Sequence, residues 1–252
     1  MRRVSLGIVV LAVLGCAEEP DNPALPEMDD LARKTMKAWD AKEYHLGRAG
    51  VKRATCTVEA TLPRSFGIQD AKAPPTTKGV FLWDGEKAKI RWEDEERGHE
   101  ADYGSLSARE LCASWFEPWW KSFKGLKLRG RRNDDGGVVI EYDHRDTSYA
   151  LTFDAESVLA KIEWWGAEVR RATQTFAYER REGMWLLRGC ETVSAEGAAA
   201  WTCRMELQHE TVAGYLAPKS IRVVEKSRGA GSDMEDIWEL RLTDWKFNDD
   251  AK

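Results

Sequence analysis

Histidine is scarce in this chain of 252 residues, and the four present, His45, His99, His144 and His209, stand far apart in the sequence. There is no H-E-x-x-H helix and no G-x-S-x-G elbow, and His209-Glu210 lacks the second histidine of a zinc hydrolase. The five cysteines include no C-x-x-C pair, which argues against a zinc site. Cations are not in excess either: 38 Lys and Arg face 43 Asp and Glu, for a net charge of −5. A nucleic-acid binder leans the other way. Long apolar runs are missing apart from residues 4–15, too short for a membrane-spanning helix. No internal repeat of fixed period occurs. Two polar clusters are weighed as sites and set aside. Asp143-His144-Arg145-Asp146 lies between two strands and reads as a solvated turn, and Glu93-Asp94-Glu95-Glu96 lacks the alternating spacing of a calcium-binding hand.

What is present starts with the N-terminus. Arg2 and Arg3 precede the uncharged stretch from Val4 to Gly15, the pattern of an export signal. The Val13-Leu14-Gly15-Cys16 sequence resembles the bacterial lipobox, and that resemblance implies a diacylated Cys16 as the new N-terminus. An ordinary cleaved signal and a buried cysteine in an uncleaved anchor are the alternatives. Loss of Arg2 and Arg3 with the signal takes the net charge from −5 to −7. Ala17 in place of aspartate after the cysteine favours the outer over the inner membrane of the cell envelope, by analogy with bacterial sorting signals. The expected organisation is a signal peptide over 1–15, a flexible proline-broken tether over 16–27, one domain over 28–248 and a tail over 249–252.

Removing Cys16 from the count leaves Cys56, Cys112, Cys190 and Cys203, an even number for an oxidising compartment with three connectivities. Cys190 with Cys203 is the favoured pair, because their strands flank a small-residue loop, and Cys56 with Cys112 follows. Four buried thiols are the alternative.

Within the domain, Met28, Leu31, Ala32, Thr35, Ala38 and Trp39 recur at helical spacing, with Asp29 and Asp30 in the first turn. Ala54, Cys56, Val58, Ala60 and Leu62 alternate with polar residues, the mark of a half-buried strand. Asp84-Gly85 between residues 80–83 and 88–92 predicts a tight hairpin. Further strands are expected over 138–142, 149–153, 158–164, 173–178, 184–193, 201–208, 220–224 and 237–242, with 245–247 extending or following the last. Ser107-Ala108-Arg109-Glu110 is a capping box that starts an inserted helix, which Pro118 kinks or ends. The fold class is α+β, mostly β: a large curved antiparallel sheet, or half-open barrel, with an N-terminal helix and an inserted helical lid.

Lys78-Gly79-Val80-Phe81-Leu82-Trp83 followed by Ile90-Arg91-Trp92 is similar to the early strand pair of the bacterial lipoprotein-localisation factors. Leu151-Thr152-Phe153-Asp154 running into Leu159-Ala160-Lys161-Ile162 is similar to their later meander. The order of elements over most of 28–248 resembles that half-barrel family. The resemblance implies an apolar hollow inside the sheet, covered by the inserted helices.

Twelve tryptophans are unusual for this length, and they supply the candidate site. Trp115, Phe116, Trp119, Trp120 and Phe123 crowd one segment, followed by Lys121, Lys124, Lys127, Arg129, Arg131 and Arg132 with no acid between Glu117 and Asp134. Indoles suit a boundary between water and acyl chains, and neighbouring cations suit anionic head groups. Trp83, Trp92 and Trp164 are expected to line the hollow, although tryptophans in strands also serve as plain core. Trp164 and Trp165, adjacent on one strand, must face opposite ways. The expected function is a lipid-anchored, non-catalytic envelope protein that holds an acyl chain or a lipoprotein's lipid, without cofactor, metal or nucleic acid. The alternative is an interaction or sensor lipoprotein whose hollow is plugged.

Overall fold

A computed structural model describes residues 27–62, 76–98, 114–116, 123, 125–166, 171–194, 200–229 and 232–248. The signal, Cys16, the tether before residue 27, the helix expected from residue 108, Cys112, Pro118, Trp119, Trp120, Lys121, Lys124 and the tail lie outside the described residues.

The thirteen described strands form one curved sheet that does not close. They are β1 (Glu27–Met28), β2 (Ala54–Thr61), β3 (Thr76–Trp83), β4 (Ala88–Trp92), β5 (Lys127–Arg132), β6 (Val138–His144), β7 (Thr147–Phe153), β8 (Leu159–Gly166), β9 (Ala172–Arg181), β10 (Met184–Ser194), β11 (Ala200–Val212), β12 (Tyr215–Gly229) and β13 (Ser232–Phe247). From β5 to β13 the chain is an antiparallel meander. β2 then docks on β13, so that β2, β3 and β4 extend the C-terminal side of the sheet, while β1 adds to β5 in parallel. Register breaks at Leu187/Gly189, Gln208/His209 and Thr243/Lys246 interrupt long strands that would otherwise run straight.

Alternation sets the two faces. Ala54, Cys56, Val58 and Ala60 of β2 are buried while the residues between them are half-buried, as the period of two requires. The hairpin forms where expected, but residues 84–87 make a four-residue loop in place of a two-residue turn, with Gly85 at φ 99° and Asp84 accepting from the backbone N–H groups of Glu86 and Lys87. Trp164 is fully buried and Trp165 is 39% exposed, on opposite faces.

The helix α1 (Asp30–Asp40) starts at an Asp29 cap, whose carboxylate accepts from Ala32 N at 2.8 Å and from Gly130 N of β5 at 2.8 Å. These bonds hold the Asp29 carboxyl below its ordinary pKa, the Ala32 bond most strongly. One residue thus caps the helix and fixes it to the sheet. Ala32, Thr35, Met36 and Trp39 turn inward, and Trp39 meets Tyr178 edge-on at 5.1 Å.

A strap then crosses the inner face. Tyr44 N donates to Trp185 O, Trp185 N donates to Lys42 O, and the Tyr44 hydroxyl accepts from Leu216 N. The interior holds two apolar clusters. One, beneath α1, holds Trp39, Phe123, Ile140, Leu151, Phe153 and Trp164. The other holds Leu46, Phe81, Trp83, Phe116, Met205, Trp238, Leu240 and Trp245. Phe176 touches both.

Two expectations change. Cys190 and Cys203 are free, buried thiols, and Cys56 is buried too. Cys190 pairs with Met205 and Cys203 with Thr192, so the two cysteines are diagonal neighbours. Diagonal positions lie about 7–8 Å apart, whereas a disulfide spans about 4.4–6.8 Å between Cα atoms. The alternative of buried thiols holds for Cys190 and Cys203, and the expected Cys56–Cys112 pair falls on Cys112, outside the described residues. Second, Lys127, Arg129, Arg131 and Arg132 belong to β5, a strand not expected from the sequence. Leu128 faces inward, and the four cations are exposed, with Lys127 paired to Glu27 and Arg131 to Glu141.

Candidate functional site

The site is an aromatic trough on the inner face of β3 and β13. Phe81 and Trp83 lie two residues apart on β3 and therefore point the same way, and Trp245 and Phe247 do so on β13. Trp245 and Phe247 stack at 5.5 Å, and Phe81 meets Trp245 at 6.1 Å. The Trp245 indole is fixed by donating to Pro218 O at 2.8 Å.

Phe116, from the segment inserted between β4 and β5, lies in this trough. Its ring stacks on Trp83 at 5.0 Å and on Phe81 at 5.7 Å, and reaches Trp245 at 6.4 Å. It is 3% exposed. The inserted backbone is tied to the strap by Leu46 N donating to Trp115 O at 2.7 Å. Gly47 permits this approach: a Cβ there would stand 2.1 Å from the Phe116 carbonyl oxygen.

At its end, the trough opens into a groove of about 720 Å³ bounded by Trp83, Phe116 and the strap. Arg48, Lys52 and Arg53 line it together with Asp84 and Glu86. Arg48 is spoken for by Asp40, at 2.6 Å, and His45 lies 3.7 Å from the same carboxylate. Its lining combines the buried Trp83, Phe116 and Val51 with charges of both signs, so the groove suits the end of an amphipathic ligand better than a small ion.

The aromatic residues singled out from the sequence do not form one lining. Trp83, Trp92, Trp115 and Phe116 gather in the β2–β3–β13 cluster, whereas Phe123 and Trp164 belong to the cluster beneath α1. Trp92 covers Gly79 of the adjacent strand, where any side chain would meet its ring at 2.9 Å. Asp143-His144-Arg145-Asp146 forms the tip between β6 and β7, with Ser148 donating to Asp143 at 2.6 Å.

Among the described residues no group of three or more His, Cys, Asp or Glu side chains could hold a metal ion. His209 sits apart from the trough on β11, where burial and then the nearby Arg188 and Arg181 push its pKa down to about 4. Burial lifts the Cys190 thiol to about 12, so it stays protonated and poorly nucleophilic. No helix of the described residues is long and apolar enough to cross a membrane.

The chain matches no family model and no curated protein.

Proposed function

We propose that this chain is a non-catalytic binding protein of the bacterial cell envelope, anchored by lipid on Cys16. In this reading its inserted segment occupies the trough that an apolar ligand takes. One observation carries it: Phe116 lies on Trp83 and Phe81 as a guest ring would, on a segment tied to the strap through Trp115 O. An acyl chain that displaced Phe116 would meet the same stacked walls and enter through the groove beside Trp83. The exposed cations of β5 lie beside Glu27, where the tether enters the domain, and so near the membrane that the anchor would reach.

The burial of Phe116 favours a second reading, an interaction lipoprotein whose hollow stays plugged and whose outer face meets a protein partner. Native mass spectrometry of the full chain recovered from envelope membranes separates the two. A stoichiometric adduct that solvent extraction identifies as an acylated molecule supports the ligand-binding reading. A bare polypeptide mass, unchanged after incubation with envelope lipids, supports the plugged module.

A further inference from the structure

The register of the sheet places one polar rung across an otherwise apolar inner face. Gln174 of β9 pairs with Thr192 of β10, Thr192 with Cys203 of β11, Cys203 with Glu225 of β12, and Glu225 with Asp236 of β13. On one side runs Phe176, Cys190, Met205, Val223 and Trp238, a rung without a charged group. The polar rung is not an accident of exposure. Gln174 is 1% and Thr192 0% exposed, yet Gln174 Oε1 and Thr192 Oγ1 have no hydrogen-bond partner. Buried polar atoms are nearly always satisfied, so such a pair calls for an occupant that donates to them.

The acidic end of the rung defines that occupant. Glu225 and Asp236 are directly opposite on neighbouring strands, about 5 Å apart, so two carboxylates face one space. Trp201 donates from Nε1 to Glu225 at 2.5 Å, and Trp238 follows Asp236 two residues along the same face. Two carboxylates beside two indoles form a setting for an organic cation, held by charge and by the ring faces together. Burial, and to a lesser degree the neighbouring Asp236, raises the pKa of Glu225, a strain that a cation would relieve.

We infer that the polar rung binds the head of an amine-bearing amphiphile. Its ammonium sits between Glu225 and Asp236, and a second donor, an amide or hydroxyl, reaches Thr192 and Gln174 about 10 Å farther along the rung. This rests on the proposed apolar-ligand reading and adds the head-group chemistry to it. An acyl tail would continue along the apolar rung toward Met205 and Trp238.

The test is binding of n-octylammonium, n-octanol and n-octanoate to the full chain, read by tryptophan fluorescence and calorimetry. Octylammonium is expected to bind at least tenfold more tightly than the other two, with the preference lost in Glu225→Gln. Asp236→Asn serves the same purpose if Glu225→Gln fails to fold, and Glu206→Gln on the outer face is the control that keeps the preference. Equal binding of octylammonium and octanol overturns the head-group assignment while leaving the apolar hollow standing. Binding of none of the three overturns both. A preference for octylammonium that survives Glu225→Gln and Asp236→Asn places the amine elsewhere and also overturns the inference.

Discussion

Replacing Gly47 by alanine adds one methyl group at the point where the strap meets the inserted segment. That carbon would lie 2.1 Å from the Phe116 carbonyl oxygen and 3.2 Å from its carbonyl carbon, both backbone atoms that no rotamer change can move. The strap or the insert must therefore retreat by roughly 1 Å, a gap that forfeits a quarter to a half of the dispersion energy of each contact across it. If the insert stays, the rings on Trp83 and Phe81 loosen at about 0.5–1.5 kcal/mol each. If it leaves, Phe116 also loses the roughly 1.5–3 kcal/mol of its burial. The expected loss of stability is about 2–4 kcal/mol by chemical denaturation. The reporter is amide exchange at Leu46, whose N–H donates to Trp115 O across the same junction and should lose its protection. Gly50→Ala is the control, since Gly50 at φ 95° has nothing near its missing Cβ. It should strain the loop but leave Leu46 protected. A Gly47→Ala variant within about 0.5 kcal/mol of the parent, with Leu46 still protected, would refute the seating of Phe116.

Thr192→Val removes a fully buried hydroxyl that has no partner and keeps its shape. Stability of the ligand-free chain should rise by about 1 kcal/mol, and a fall of that size would show that the hydroxyl is satisfied. His209, ordinarily near 6.5, is held down to about 4 by burial and by Arg188 and Arg181, so the unfolded chain takes up the proton first as pH falls. Its contribution is complete above pH 6.5 and lost on the way down to pH 4, amounting to about 3 kcal/mol. The difference between parent and His209→Gln in denaturation from pH 7 to pH 4 measures it, and parallel curves would contradict it. Cys190 and Cys203 are at most 5% exposed, so a thiol reagent at pH 8 should modify them only on unfolding. Labelling of their peptides within minutes in the native state would sink that expectation.

The strands that carried both a period of two and a turn signal were readable in advance. β2 and the β3–β4 hairpin appear where alternation and Asp84-Gly85 put them, and α1 follows the amphipathic run, although Met28 belongs to β1 and Asp29 is the cap rather than part of the first turn. β5 was hidden because Lys127, Arg129, Arg131 and Arg132 lend it no apolar face beyond Leu128, and its place depends on pairing with β6 and on α1 docking at Gly130. The lengths of β12 and β13 were also underestimated, because breaks such as the one at Asp244, with φ 57°, disturb the alternation without ending the strand.

For the site, Trp83 and Phe116 were identifiable as aromatics, but their meeting depends on Gly47, which from sequence marks only a bend. Phe116 and Phe123 fall in different clusters, and the strap's hydrogen bonds to Trp185 and Leu216 likewise connect residues far apart in the chain. The polar rung had one local signal, Glu225 in phase with Ile221 and Val223 on the inward face of β12. The rest of that rung is a matter of register across five strands, which no local pattern determines.

The most direct test of the central claim is photocrosslinking of the full chain with a diazirine-bearing fatty acid, compared between the parent and Phe116→Ala. If Phe116 holds the place of an apolar ligand, crosslinks fall on the β3 and β13 peptides that carry Phe81, Trp83 and Trp245, and their yield rises severalfold in Phe116→Ala. Crosslinks confined to the outer face, or a yield that Phe116→Ala leaves unchanged, would contradict the account.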